Sequence, residues 1–206
     1  MDTNNKPNVI IVLTDDQGYG DLSCHGNPVL ETPELDKLYQ ESVRLTDFHV
    51  SPVCSPTRAS LMTGRDSVKA GIRSTAGVRT ILNEDEVTMA EIFAENGYQT
   101  GAFGKWHLGD SYPYRPHDRG FQETLFFGGW DLSTVAAEWK SQCFNDTYLR
   151  NGHKEKTEGY CTDIWFEEAM KFMKDCQKND ENFFTYIATN APHWPWYVPD
   201  QYRQPY

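Results

Sequence analysis

Residues 8–14, NVIIVLT, form an unbroken apolar and β-branched run, the pattern of a strand buried on both faces. TPELDKLYQESV (32–43) changes to helical spacing, with Thr32 as N-cap, Pro33 at the first helical position and Leu35 and Leu38 on one face. VRLTDFHV (43–50) reads as a short strand. SPTRASLMTG (55–64) reads as a helix capped by Ser55, opened by Pro56 and stopped by Gly64. In TMAEIFAENG (88–97), Thr88 is the cap, Met89, Ile92 and Phe93 form the apolar face, and Gly97 takes the C′ position. YQTGAFGKW (98–106) returns to strand character. Residues 110–160 are rich in Gly, Pro and aromatics and read as mostly irregular. An amphipathic helix, DIWFEEAMKFMKDC (163–176), and a buried strand, NFFTYIATN (182–190), complete the pattern.

Strands alternating with helices predict an α/β domain around a largely parallel or mixed sheet, with helices on both faces. The chemistry-bearing residues fall just beyond the strands. Asp15 and Asp16 follow the first strand and Cys54 the second; Lys105 and His107 end the third, and His193 follows the fourth. In open α/β sheets, ligands bind beyond the carboxyl ends of the strands, so four segments are expected to converge on one edge.

Composition narrows the classes. With 206 residues and 38% hydrophobic content the chain can bury a sizeable core. A net charge of -11 leaves no basic stripe for phosphates, which excludes nucleic acid as the expected partner. No apolar run approaches a bilayer's thickness, so no membrane span is expected. The start, MDTNNKPNVIIVL, lacks a basic n-region and a cleavage site. A periplasmic or secreted location follows if a leader was removed, and a cytoplasmic one otherwise. The five cysteines are scattered without a CxxC pair, so a zinc knuckle is not expected. An odd number leaves one unpaired, and Cys54 is the natural candidate.

Taken singly, each cluster has a bland reading. Asp15-Asp16 offers hard oxygen donors suited to Ca²⁺ or Mg²⁺, but Asp-Gly stretches are also ordinary turns. Cys54 sits at a helix N-terminus, where anions are favoured, with Arg58 one turn on; a free cysteine is also a common buried apolar residue. A tyrosine-phosphatase loop needs arginine six positions after the cysteine, and position 60 is Ser60. Lys105 and His107 lie two apart, on one face of an extended segment with Trp106 turned to the core, or else on the wet face of a half-exposed strand. His193, between Pro192 and Pro195, is by itself as well explained by packing against Trp194 or Trp196.

Together the segments carry a resemblance. CSPTR (54–58) fits the C-x-P-x-R signature of the sulfatase family, within the alkaline-phosphatase superfamily. LTDDQGYGDL, TGRDSVKAGI and GYQTGAFGKWHLG resemble that family's segments in its order, over about residues 8–199. The resemblance implies an alkaline-phosphatase-like fold and an arylsulfatase-like sulfuric ester hydrolase. It implies that a maturation enzyme oxidises Cys54 to formylglycine, whose hydrate attacks sulfur with one hydroxyl and expels sulfate with the other. It further implies Asp15, Asp16 and residue 54 as ligands of Ca²⁺, with Mg²⁺ as the alternative. Arg58 is implied to hold the diol, Lys105 to offset sulfate charge, His107 to take the proton on elimination, and His193 to touch sulfate and protonate the leaving alcohol. The implied substrate is a small-molecule or carbohydrate sulfate ester.

The match also has gaps. The family's second metal-ligand pair and a later lysine have no counterpart before Tyr206, so the chain is expected to be the N-terminal portion of a sulfatase domain, incomplete at its C-terminus. Weak metal affinity, little or no activity and an uncovered sheet face follow from that. The rivals are a phosphonate monoester hydrolase or phosphodiesterase of the same superfamily, a non-catalytic anion-binding remnant, and a thiol hydrolase using Cys54 directly. Selectivity is expected from residues 111–157, with Arg115, His117 and Arg119.

Overall fold

The computed structural model describes residues 6–75, 80–129 and 142–206. Six strands form one sheet: β1 (Val9–Asp15), β2 (Gln99–Lys105), β3 (Glu123–Phe127), β4 (Thr147–Arg150), β5 (His153–Lys156) and β6 (Phe183–Pro192). Their order is β1-β6-β2-β3-β4-β5. β1, β6, β2 and β3 are parallel, and β4 runs antiparallel to both β3 and β5, so the sheet is mixed, as expected. The helices are α1 (Pro33–Glu41), α2 (Cys54–Thr63), α3 (Met89–Glu95), α4 (Cys161–Lys178) and α5 (Asp200–Arg203).

Alternation along the central strands divides the core. Phe184, Tyr186 and Ala188 of β6 join Ala102 of β2 beneath Ala59 and Met62 of α2 and Ala90 of α3. Ile187 and Phe103 face the other way, with Leu125 and Phe127, against Ile164, Trp165 and Ala169 of α4. Helices therefore cover both faces. Trp165 is fully buried, with its ring centroid 4.4 Å from that of Tyr148. Among the described residues no helix is long and apolar enough to cross a membrane.

Several expectations need correction. Among the described residues β1 is an edge strand, paired with β6, while α4 packs chiefly on β6 and β2. Ile11 and Leu13 pack inward while Ile10 and Val12 are about half exposed, so the strand is buried on one face, not two. The expected uncovered face is limited to the edge strand β1, where Ile10 and Val12 are exposed, because helices pack on both faces of the central strands. Leu35 and Leu38 are exposed; among the described elements, the main packing partner of α1 is the short 3₁₀ turn at Ser23–His25. Residues 43–50 form no strand: no neighbouring strand pairs with them, and Val43, Leu45, Phe48 and Val50 are exposed. Cys54 therefore follows a loop. Within 110–160 the structure contains β3, β4 and β5, although residues 130–141 of that stretch lie outside the described residues.

Local signals explain the elements that were read correctly. Thr88 and Glu91 form a capping box at α3: the Thr88 hydroxyl accepts from Glu91 N–H, and the Glu91 carboxylate accepts from Thr88 N–H. Gly64 ends α2 in a left-handed conformation, with φ 65°. The α2 start is shifted, however. Val53 is the N-cap, Cys54 is already helical, and the Ser55 hydroxyl donates to the His107 carbonyl at 2.5 Å instead of capping.

Candidate active site

Three adjacent parallel strands, β1, β6 and β2, end at the same edge of the sheet, and Asp15 lies level with Pro192 in the register. This places Asp15, Lys105 and His193 together although they are far apart in sequence. The α2 helix delivers the fourth segment. Its buried stripe, Ser55, Arg58, Ala59 and Met62, has helical spacing, and one member of that stripe is an arginine.

The centre of the site is a buried carboxylate between two buried cations. Lys105 Nζ donates to Asp15 Oδ2, and Arg58 Nη2 lies 3.6 Å from Asp15 Oδ1. Arg58 Nη1 also donates to the Lys105 carbonyl at 3.0 Å and to the Tyr186 hydroxyl at 3.1 Å. Its Nε is buried without a partner. Such a donor is costly to leave unmet, so it marks a place where an acceptor is missing from the protein itself.

His107 closes the other side. Its Nε2 lies 3.0 Å from the Thr75 carbonyl, which can only accept, so the proton sits on Nε2. Nδ1 then turns its lone pair towards Cys54 Sγ, 3.4 Å away. Burial first, and then Lys105 and Arg58, push the imidazole down to about 3, so it is neutral near pH 7. The Cys54 thiol is pushed up from its ordinary value, chiefly by burial, with Lys105 and Arg58 opposing and Asp15 adding to the rise. A thiol held in that form is a poor nucleophile, which weighs against direct thiol hydrolysis. His107 and Asp16 both have left-handed backbones, with φ 59° and 60°. Strain of this kind collects at functional sites.

An open cleft of about 530 Å³ lies over these groups, lined by Asp15, Asp16, Gln17, Cys54, Thr57 and Arg58 among others. Asp16 is mostly exposed at its rim, 3.5 Å from His193 Nε2. His193 Nδ1 donates to the Trp194 carbonyl at 2.5 Å. Of the seven expected site residues, Asp15, Asp16, Cys54 and Arg58 line the cleft, and Lys105, His107 and His193 each contact one of them from behind or beside it. Lys105 and His107 are not on the wet face of a strand: they are 1% and 4% exposed.

Two supporting roles are not visible in the sequence, that of Tyr186 and that of Ser55, which was expected to be only a helix cap. Tyr186, fully buried in β6, holds Arg58, and Ser55 ties α2 to His107. Spacing within β6 marks Tyr186 as inward-facing but not its partner. The three residues expected to set selectivity are committed elsewhere. Arg115 pairs with Asp118 at 2.7 Å, Arg119 donates to the carbonyls of Asn83 and Glu86, and His117 packs by Gly152. None of the three lines the cleft.

Asp15 and Asp16 fit a hard divalent cation by chemistry, although Ca²⁺ takes about six to eight oxygens. Among the described residues no three of His, Cys, Asp and Glu group as a metal site. What the chain presents is two carboxylates near residue 54: Asp15, paired with Lys105 and Arg58, and Asp16 at the cleft rim.

A sulfatase of fission yeast, Schizosaccharomyces pombe, described as uncharacterized, is 32% identical over 98% of this chain and 40% of its own length. The N-acetylgalactosamine-6-sulfatase of the pig, Sus scrofa, is 33% identical over 93% of this chain and 41% of its own. The crystal structure of Ps i-CgsB in complex with k-i-k-neocarrahexaose superposes with a TM-score of 0.81 at 32% identity, covering 95% of this chain and 47% of that one. This chain therefore spans less than half the length of each. The fold is that of the alkaline-phosphatase-like sulfatases. The family model named Sulfatase matches residues 7–206, taking in the sheet edge, the start of α2 and the cleft between them, and the chain belongs to the sulfatase family.

Proposed function

We propose that this chain is the N-terminal portion of a sulfatase catalytic domain and carries the nucleophile side of a sulfuric ester hydrolase site. The observation behind this reading is the buried Asp15–Arg58–Lys105 cluster, set against residue 54 with the lone pair of His107 aimed at it. Cys54 is the precursor of formylglycine, made by a maturation enzyme. The hydrated aldehyde supplies two hydroxyls, one to accept the sulfuryl group and one to release it. Asp15 and Asp16 would hold a divalent cation, Ca²⁺ in preference to Mg²⁺, which when bound would supply Lewis-acid stabilisation of negative charge beside position 54.

The chain's own groups do the rest. Arg58, fixed by the Lys105 carbonyl and Tyr186, offers its unpartnered Nε to an oxygen at position 54. Lys105 offsets negative charge beside the sulfuryl oxygens. His107, neutral and protonated on Nε2, accepts the hydroxyl proton at Nδ1. His193, at the rim, donates to the leaving alcohol. The substrate is a small-molecule or carbohydrate sulfate ester. The carbohydrate class is supported by the pig relative's name and by the oligosaccharide bound to Ps i-CgsB.

Parallel assays test the class of ester. After co-expression with a formylglycine-generating enzyme and addition of Ca²⁺, the chain is expected to cleave 4-nitrophenyl sulfate slowly, because its oxygen shell is partial. Cys54→Ala should show no turnover, and iodoacetamide should not inhibit the matured protein. Preference for bis(4-nitrophenyl) phosphate, or equal rates for Cys54→Ala, would point to one of the rival hydrolases.

A further inference from the structure

Outside the cleft, two of the five cysteines meet. Cys143 lies just before β4, and Cys161 is the first residue of α4. Phe144 and Tyr160 form an antiparallel bridge, flanked by hydrogen bonds from Asn145 N–H to the Gly159 carbonyl and from Cys161 N–H to the Cys143 carbonyl, at 2.9 and 2.8 Å. That pattern sets Cys143 and Cys161 directly opposite each other, so their side chains leave on the same face. Directly opposed residues of this type have Cα atoms about 5.5 Å apart, within the span a disulfide bridges. The two thiols are hydrogen bonded to each other and are 3% and 0% exposed.

We infer that Cys143 and Cys161 are a disulfide-forming pair that staples the β4–β5 arm to the start of α4. The hydrogen bond from Cys143, followed by burial, pushes the Cys161 thiol above its ordinary range, so the folded pair is inert to exchange. Oxidation therefore belongs to the folding chain. One thiolate attacks a low-molecular-weight disulfide such as glutathione disulfide and releases one glutathione. The second thiolate then displaces the attached glutathione and closes the bridge. Two thiol hydrogens and two electrons leave the protein, and one glutathione disulfide becomes two thiols.

The bridge also borders the catalytic strand. Cys161 Sγ donates to Asn190 Oδ1 at 3.3 Å, and Trp165 Nε1 donates to the same oxygen at 3.3 Å. On oxidation the thiol donor is lost while the Trp165 bond remains, so this part of β6 stays held.

The test is refolding from urea in a glutathione redox buffer, with a parallel sample kept in dithiothreitol. The oxidised sample should be about 2 Da lighter. Trypsin, cutting after Arg150, Lys154 and Lys156, should release a cross-linked Cys143–Cys161 peptide pair, while Cys24, Cys54 and Cys176 alkylate. Closing this loop should raise the Tm over the reduced sample by on the order of 5–10 °C. Cys143→Ser and Cys161→Ser should each abolish that difference; the wild-type comparison stands if either fails to fold. Five alkylated thiols after oxidative refolding, or a bridge through any other cysteine, would overturn the inference.

Discussion

Asp15→Asn is expected to cost about 3–5 kcal/mol of stability in the metal-free chain. The substitution keeps the side chain's volume and removes only its charge, leaving Arg58 and Lys105 buried side by side without a counterion. An exposed neighbour supplies the control. Asp16→Asn alters a carboxylate that is 59% exposed and lies 3.5 Å from His193 Nε2, so its effect should stay within about 1 kcal/mol. Urea unfolding followed by tryptophan fluorescence reads both, as a shift in midpoint at constant slope. Equal midpoints for the two variants would remove the buried cluster from the account. Buried ion clusters seldom stabilise a fold better than apolar residues of the same volume. Their presence at a cleft is therefore an argument for chemistry.

Gly104→Ala should be of similar size, for a different reason. Gly104 has φ 103°, and a Cβ there would lie 2.0 Å from the Ala188 carbonyl oxygen, in the backbone of the paired strand β6. The obstruction is main chain in the middle of the sheet, so no side chain can turn aside to relieve it. Backbone strain and overpacking together should cost about 3–5 kcal/mol, lowering the Tm by roughly 10 °C. Because Lys105 is the next residue, the displaced strand should also pull its amino group away from Asp15. A variant with the parental Tm would mean that β2 and β6 are not held as closely as this structure has them.

Elements with local signals were legible in the sequence. The apolar run of β1, the Thr88–Glu91 box and the Gly64 stop are each written into a few adjacent residues. The β4–β5 hairpin was legible too, but was not read. Its two-residue turn is Asn151-Gly152, both with positive φ, which is the type I′ signal. The error over 43–50 has another origin. β-Branched residues favour a strand only when a neighbouring strand is present, and that cannot be seen within eight residues. The site followed the same division. Asp15, Lys105 and His193 are brought together because three parallel strands end at one edge, whereas Cys54 arrives on a loop and the start of α2, which strand order does not foretell. The roles of Tyr186 and Ser55 were not legible, because what they do depends on partners Arg58 and His107, distant in sequence.

The central claim is that residue 54 is a precursor, and peptide mass tests it most directly. After co-expression with a formylglycine-generating enzyme, the tryptic peptide spanning 45–58 is expected to be about 18 Da lighter than its encoded mass, with the loss located at Cys54. A peptide that retains an intact, alkylatable Cys54, under conditions that convert an arylsulfatase run alongside, would contradict the account.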